Sequence, residues 1–586
     1  MKKKRLYTLG GLILCMLLLL CGRLMQIQLF QTEDFSKYGV NLLEGSVNQR
    51  VQQLVIDEGR GQFIDRNGQP LTFEEKKVLV LFPFLKQEED ILGQVADILD
   101  LSPTTLKNAV VQAKEPFILE GYNGQPLELS DREMTRISNL KVPGLMAVEK
   151  IYGKDKPSAA HLLGLIKENK EEFERRYDSL PKNSKPLLGI TGLQKQFDEL
   201  LRPDGEAKLV YHVDGIGEPL FGLDVKYTAP ANPFYPIRVK TTIDTQLQEA
   251  LEETANEQDL YKGAAVLLDI ETNELLAAVS RPDIDVSNPY KNEGMQNLAL
   301  TPLIPGSVFK TVTAAAALEE QLPELDRIFN CNETLYGTAD KRELGNLSFE
   351  ESFAQSCNRT FGDLAKVLQE NHSNSLEIYA EKLGLTGEIG WRGSFFHEEE
   401  FVPLDIGEGM VFTDSDKRKD KNISAQTGIG QHDVKVSPLA VANMMATIAR
   451  GGEKKLVKGV QAVQYKNGTT MFEFEDVPAD GESISSVTAS RLQKLLRSVV
   501  QSKEGTGAAL QAAPYPIAGK TGTAETGKFI GDKQLYNKWF AGYFPFDQPK
   551  YALVVVRTEA FEQGGGVQSF YLEAVNKIYR ISGENP

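Results

Sequence analysis

The stretch "GAAVLLDIETNELLAAVS", Gly263 to Ser280, decides how this sequence folds. Two apolar runs flank a polar turn, the pattern of a hairpin buried on at least one face. Working outward, "NKWFAGYFP" (Asn537–Pro545) and "YALVVVRTEA" (Tyr551–Ala560) read as two further strands joined by "FDQPK". The amphipathic pattern of "SFYLEAVNKIYRIS" (Ser569–Ser582) closes the chain as a helix, and helical segments fill the middle. Strands at both ends with helices between predict an α+β domain whose antiparallel sheet draws on both ends of the region.

Upstream, the proline-rich "KYTAPANPFYPIRV" (Lys226–Val239) reads as a linker. Before it lies a region of mixed character. "VQQLVIDEGRGQFIDRNGQPL" (Val51–Leu71) reads as strand, turn and strand, with Asn67-Gly68 as a hairpin signal. "EEDILGQVADILDLSPTTLKNAVVQA" (Glu88–Ala113) reads as two short amphipathic helices, and "GITGLQKQFDELL" (Gly189–Leu201) as another.

At the N-terminus, "MKKKR" precedes an uncharged run from Leu6 to Gly22. As a helix that run spans about 26 Å, and Leu24–Ile27 extend it if Arg23 snorkels. No A-x-A cleavage site follows, and Leu20 stands before Cys21 where a lipoprotein wants a small residue. The expectation is an uncleaved single-pass anchor in the cell membrane. Lys2–Arg5 would stay in the cytoplasm and everything after the anchor would lie outside. The expected divisions are a cytoplasmic tail (1–5), an anchor (6–27), a non-catalytic pedestal (28–234) and a catalytic domain (235–586).

Composition excludes some functions. The 586 residues are 41% hydrophobic and 25% charged, with a formal net charge of -16, which argues against nucleic acid as a partner. Two of the four cysteines, Cys15 and Cys21, lie in the apolar run. Only Cys331 and Cys357 remain beyond it; the residues leave open whether they pair. No C-x-x-C or Cys/His cluster occurs, so neither a metal nor a cofactor is expected.

The chemistry concentrates in "LIPGSVFKTVTAAAALEE" (Leu303–Glu320), where Pro305-Gly306 precedes Ser307 and Lys310. Residues i and i+3 share a helix face, so a helix starting near Ser307 lets the two side chains meet. The sequel is apolar nearly all round, the mark of a core helix. Burial strips water from the lysine and lowers its pKa, so that a neutral amine can take the serine's proton. S-x-x-K alone is weak; "SLPK" at Ser179–Lys182 is a second instance, set in what reads as exposed loop. Two other elements strengthen Ser307. "FAQSCNRT" sets Ser356 and Asn358 on alternate positions, a hydroxyl and an amide (S-x-N also occurs at Ser46–Asn48). "PIAGKTGTAE" offers Lys520, Thr521, Gly522 and Thr523. As a strand it projects Lys520 and Gly522 to one side and the threonines to the other. A cation and hydroxyls suit a carboxylate, and Gly522 would let a substrate backbone lie close.

S-x-x-K, S-x-N and K-T-G in this order resemble the penicillin-binding proteins and serine β-lactamases. "GRGQFIDRNG" (Gly59–Gly68) is similar to the R-G-x-I-x-D-R-N-G signature of class B penicillin-binding proteins. "AAHLLGLI" (Ala159–Ile166) and "GITGLQKQFDELL" resemble that family's A-x-H-x-x-G and G-x-x-G-L-E segments, with Gln194 in place of glutamate. The segment from Gly428 to Gly452 resembles its G-Q-G…T-P-L-Q region, with His432 for a glycine and Ser437 for a threonine.

The resemblance implies a penicillin-binding transpeptidase domain, an antiparallel sheet flanked by helices with an all-helical subdomain, behind a mixed α/β pedestal and one transmembrane helix. It implies a D,D-transpeptidase that cross-links peptidoglycan stem peptides through an acyl-enzyme. Ser307 would attack the D-Ala-D-Ala carbonyl of a donor stem, with Lys310 as base. Ser356 would relay a proton to the leaving amine, and Asn358 would hold the substrate amide and orient Lys310. Lys520 would support Ser356, Thr521, Gly522 and Thr523 would bind the terminal carboxylate end, and the N–H groups of Ser307 and Thr523 would form the oxyanion hole. An acceptor amine would take the acyl group, β-lactams would inhibit covalently, and other cell-wall synthesis proteins would be partners. A D,D-carboxypeptidase and a penicillin-binding scaffold are the alternatives. A bifunctional class A enzyme, a β-lactamase and a membrane receptor for β-lactams fit less well.

Overall fold

A computed structural model describes all residues except 1, 36–39, 44, 46–49, 155, 178–185, 215–219, 221–224, 564–565 and 584–586. The second S-x-x-K, Ser179–Lys182, and the second S-x-N, Ser46–Asn48, lie outside the described residues. The chain forms two compact units: Met1–Arg60 with Glu74–Gly153 and Pro203–Tyr235, and Gly61–Phe73 with Lys154–Arg202 and Pro236–Pro586.

In the first unit a helix runs Lys2–Met25 and widens into a π-helical turn at Gln26–Phe30. The stretch Lys4–Phe30 is long and apolar enough to cross a membrane. Strand Val51–Asp57 pairs antiparallel with Ala207–His212, which pairs in turn with Lys226–Thr228. A second sheet orders Phe117–Ile118, Phe73–Leu81 and Leu145–Gly153. The two expected helices form at Glu89–Leu99 and Pro103–Gln112, and Leu92, Val95, Leu106 and Val110 join Leu79 and Leu81 in one core.

The two strands on either side of Gly59 form and lie in different sheets. Val51–Asp57 belongs to the first unit, whereas Gln62–Ile64 runs parallel to Arg238–Thr241 in the second. Asn67-Gly68 does make a tight turn, with Asp65 N–H donating to Gln69 O at 2.8 Å and Leu71 N–H to Phe63 O at 3.0 Å. The expected helix at Gly189–Leu201 is two short ones, Gly192–Gln196 and Asp198–Leu201, broken at Phe197.

The second unit is built on a five-stranded antiparallel sheet. Helix α1 (Thr245–Glu257) precedes the hairpin of β1 (Gly263–Asp269) and β2 (Leu275–Arg281). Asn273 supplies the left-handed residue of its turn at φ 58, a conformation asparagine tolerates. Then come helices α2 (Lys310–Glu319), α3 (Phe349–Ala354), α4 (Asn358–Asn371), α5 (Lys421–Gly428), α6 (Pro438–Ala449) and α7 (Ser486–Gln501). Strands β3 (Ala518–Ile530), β4 (Lys533–Phe544) and β5 (Tyr551–Phe561) precede helix α8 (Gln568–Ser582). The strand order is β2-β1-β5-β4-β3, so the sheet joins both ends of the region and β3 is an edge.

The sheet is buried on both faces, and that is why β1, β2 and β5 read as unbroken apolar runs. Leu247 and Leu251 of α1 and Phe570, Tyr571, Val575 and Ile578 of α8 pack against Leu267, Phe540 and Val555. Helix α6 is buried on every side and packs against β1, β4 and β5. Its five large side chains, Leu439, Val441, Met444, Met445 and Ile448, each contribute roughly 1.5–3 kcal/mol of burial. Ser437 caps α6 by accepting from Ala440 N–H at 3.1 Å, with Pro438 in the first turn. A central helix this firmly set gives the neighbouring α7 a fixed support, and α2 packs against α7 in turn.

Candidate active site

Ser307 lies in the turn before α2, and three elements hold that turn. Leu303 exchanges backbone hydrogen bonds with Val436, at 2.9 and 3.0 Å, and Trp539 Nε1 donates to Ile304 O at 3.0 Å. Gly306 takes φ +56, and a Cβ there would come 2.4 Å from Thr523 O. Gly306 N–H donates to Gly430 O at 3.0 Å, and a Cβ on Gly430 would come 2.0 Å from Gly306 O. Only glycine fits either position, so the turn is wedged between β3 and the loop after α5.

The first turn, Gly306–Phe309, is a 3-10 turn, and α2 proper begins at Lys310. In a 3-10 turn residues i and i+3 eclipse, which sets Ser307 and Lys310 one above the other. Ser307 remains partly exposed while Lys310 is 0% exposed.

The second wall is the α3–α4 junction. Ser348 and Glu351 form a capping box that starts α3, and Cys357 stands at the N-cap of α4. Between them Ser356 adopts φ 60, an uncommon conformation for a non-glycine residue and one that collects at functional sites. It presents both its carbonyl and its hydroxyl to Lys310. Lys310 Nζ donates to Ser356 O at 2.9 Å, to Ser356 Oγ at 3.1 Å and to Asn358 Oδ1 at 2.7 Å. The junction is tied by a disulfide from Cys357 to Cys331, Cα atoms 5.8 Å apart.

The third wall is β3. Its burial alternates, Lys520 and Gly522 inward, Thr523 outward and Thr521 half-buried. Lys520 Nζ sits 5.6 Å from the centre of the Phe353 ring. Thr521 Oγ1 donates to Thr506 Oγ1 at 2.7 Å. Gly522 serves a different purpose from the one its sequence context suggests. A Cβ there would point inward, 2.6 Å from Pro305 O and 2.9 Å from Val308 Cγ2, so the glycine lets the turn of Ser307 lie against the strand. Gly522→Ala should therefore push β3 and that turn apart. We expect a loss of about 2 kcal/mol, the usual cost of overpacking, together with acylation slowed at least tenfold. A thermal melt and a stopped-flow acylation assay check both.

Electrostatics set the two lysines apart from surface amines. Burial, followed by the charges of Lys520 and Arg342, holds the Lys310 amine well below the usual lysine range, against a weaker opposite pull from Asp340. Burial and the Arg342 charge bring Lys520 down to about 7. A neutral Lys310 has a lone pair, so the Ser356 hydroxyl can turn and donate to it. Ser307, Lys310, Ser356, Asn358, Lys520, Thr521, Gly522 and Thr523 thus stand in three adjoining segments. Sequence reasoning missed Thr506, Trp539 and Arg342. None sits in a recognisable spacing; only the glycines flanking Thr506 signal a tight approach.

The penicillin binding protein transpeptidase domain matches residues 263–570, more than half of the chain. The chain belongs to the penicillin-binding protein transpeptidase family. The penicillin-binding protein dimerisation domain matches residues 55–235 of this penicillin-binding protein. Peptidoglycan D,D-transpeptidase PbpA of Mycobacterium tuberculosis is 29% identical over 352 residues, covering 54% of this chain and 66% of PbpA. Stage V sporulation protein D of Bacillus subtilis is 24% identical over 536 residues, covering 86% of this chain and 75% of that protein. A chain from a solved structure on coordination of polymerization and crosslinking by a peptidoglycan synthase complex superposes with a TM-score of 0.62 at 25% identity. That match covers 98% of this chain and 97% of the other.

Proposed function

We propose that this penicillin-binding protein is a serine D,D-transpeptidase of class B type, with residues 235–586 as its catalytic domain and 28–234 as a pedestal, of which Gly61–Phe73 and Lys154–Arg202 are packed into the catalytic unit. The observation that carries the reading is the dehydrated Lys310 amine, one 3-10 turn from a reachable serine hydroxyl and hydrogen-bonded to Ser356 and Asn358. Ser307 Oγ attacks the carbonyl between the two terminal D-alanines of a donor stem, and its proton passes to Lys310 Nζ. The tetrahedral oxyanion is held by the Ser307 and Thr523 N–H groups, each such donor being worth about 3–4 kcal/mol in enzymes generally. The proton then moves through Ser356 Oγ to the leaving nitrogen, the C–N bond breaks and D-alanine departs. An acceptor amine attacks the ester, gives its proton back along the same path, and frees Ser307 as the cross-link closes.

Thr521 and Thr523 bind the donor's terminal carboxylate, and Lys520 adds positive charge in its protonated form. β-Lactams acylate the same serine. The N-terminal helix holds the enzyme in the cell membrane with Lys2–Arg5 inside and the rest outside; the Cys331–Cys357 disulfide supports an oxidising, extracytoplasmic setting. Other cell-wall synthesis proteins are its partners.

Labelling with a fluorescent penicillin tests the reading. The native protein should label covalently and Ser307→Ala should not; a native protein that never labels would sink the proposal. With a stem-peptide donor, cross-linked product in the presence of an acceptor amine separates transpeptidase from carboxypeptidase, which would yield only the hydrolysed donor.

A further inference from the structure

Residues 329–347 form an excursion that leaves and rejoins the helical region next to the α3–α4 junction. Its base is shut by antiparallel pairing of Phe329–Asn330 with Asn346–Leu347. Cys331 N–H donates to Gly345 O at 2.8 Å, and Gly345 N–H to Asn332 Oδ1 at 2.8 Å. Further in, Asp340 N–H donates to Asn332 O and Thr334 N–H to Thr338 O, both at 2.7 Å. The Cys331–Cys357 disulfide bolts this loop to the residue between Ser356 and Asn358. A loop so closed holds its side chains at fixed places beside the catalytic residues.

Arg342 is the cation that this loop delivers. Its Nη2 donates to Ser356 O at 3.3 Å, the same carbonyl that accepts from Lys310 Nζ at 2.9 Å. Among the described residues no carboxylate lies within ion-pair distance of it, and the side chain is exposed. Its charge reaches both buried lysines and opposes their protonation. Among the described residues this guanidinium, held at the edge of a reaction centre, donates to a carbonyl and has no carboxylate partner. Guanidinium is also the side chain best matched to a carboxylate, through paired parallel N–H donors.

We propose that Arg342 is a specificity-determining residue that recognises a second carboxylate of an acidic donor peptide, distinct from that of the terminal D-alanine. The inference rests on the transpeptidase reading. On that reading the terminal carboxylate goes to β3, which leaves Arg342, at the Ser356 wall, to a carboxylate elsewhere in the donor. The bound anion would also cancel the charge that Arg342 presents to Lys310 and Lys520, so an acidic donor is bound and the lysines are retuned by one contact.

The test uses two synthetic donors ending in D-Ala-D-Ala, identical except that one carries a free side-chain carboxylate and the other its amide. Acylation kcat/KM is measured for each on the full-length protein, its Arg342→Gln variant and its Arg342→Lys variant, with penicillin labelling alongside. The expected result is that Arg342→Gln reduces the carboxylate-to-amide preference about tenfold, with Arg342→Lys intermediate; tenfold corresponds to about 1.4 kcal/mol. A role confined to loop structure or lysine tuning would lower both donors by one factor and leave the preference intact, which overturns the proposal. So does a wild type with no preference. If the wild type labels with penicillin but Arg342→Gln keeps the full preference, this inference alone falls. If the wild type is acylated by nothing, the transpeptidase reading falls first and takes this one with it.

Discussion

Lys310→Ala should lower the acylation rate by about three orders of magnitude while leaving a folded protein, in line with the middle of the range for general-base removal. The amine is 0% exposed and is the only group in Ser307's own turn able to take the hydroxyl proton. Its removal leaves Ser356 Oγ and Asn358 Oδ1 without their shared donor, which costs stability. It also removes a dehydrated amine whose folded-state pKa is depressed. The sign of that term follows from linkage. Between the depressed folded pKa and 10.5 the unfolded chain binds more protons at this site, so it weakens the native state as pH falls through that window. The variant escapes that loss, and its melting temperature should consequently depend less on pH across the alkaline side of neutrality.

The pH profile of the wild type carries the same logic into rate. Acylation requires Lys310 neutral, and its depressed pKa places the ascending limb well below 10.5. Lys520 loses its proton as pH rises through about 7, so the descending limb of kcat/KM in the free enzyme begins there. Lys310→Ala should abolish the ascending limb in whatever residual acylation remains. Penicillin acylation followed by stopped flow from pH 5 to 10, with a melt at each pH, checks both; a variant that acylates at the parental rate refutes the base.

The second large effect is expected from the disulfide. Cys331 and Cys357 are 26 residues apart, a loop whose cross-linking is worth about 3.5 kcal/mol on the chain-entropy account. Replacing both cysteines by serine should cost on that order, within a range of 2–4 kcal/mol. The functional loss should exceed what stability alone explains, because Cys357 lies between Ser356 and Asn358 and caps α4. Loosening the pair that holds Lys310 should slow acylation at least tenfold under conditions where the variant is still folded. A reductant should lower the melting temperature of the wild type and leave that of the double variant unmoved. Equal melting temperatures with and without reductant in the wild type would contradict the expectation.

Much of the catalytic unit was legible because its signals are local. The Gly263–Ser280 hairpin, the two late strands and the closing helix each carry their own periodicity, and all of them form. The motifs around Ser307, Ser356 and Lys520 were equally plain as spacings. What was hidden depends on partners far along the chain. Val51–Asp57 finds its strand at Ala207–His212, and nothing near Gly59 reports that. The inward role of Gly522 depends on Pro305, and Arg342 acquires interest only once a loop brings it to Ser356. The pairing of Cys331 with Cys357 was undecidable for the same reason: proximity in space is invisible until the fold supplies it.

The parallel pairing of Gln62–Ile64 with Arg238–Thr241 has a practical corollary for how this protein can be dissected. A fragment starting at residue 235 would retain every catalytic motif and yet leave Arg238–Thr241 with a bare edge, missing a neighbour encoded far upstream. Gly61–Phe73 and Lys154–Arg202 would be lost with it, though both are built into the catalytic unit. Recombination or cloning at the proline-rich junction therefore cannot transplant that unit whole; it is inherited as interleaved pieces of one chain.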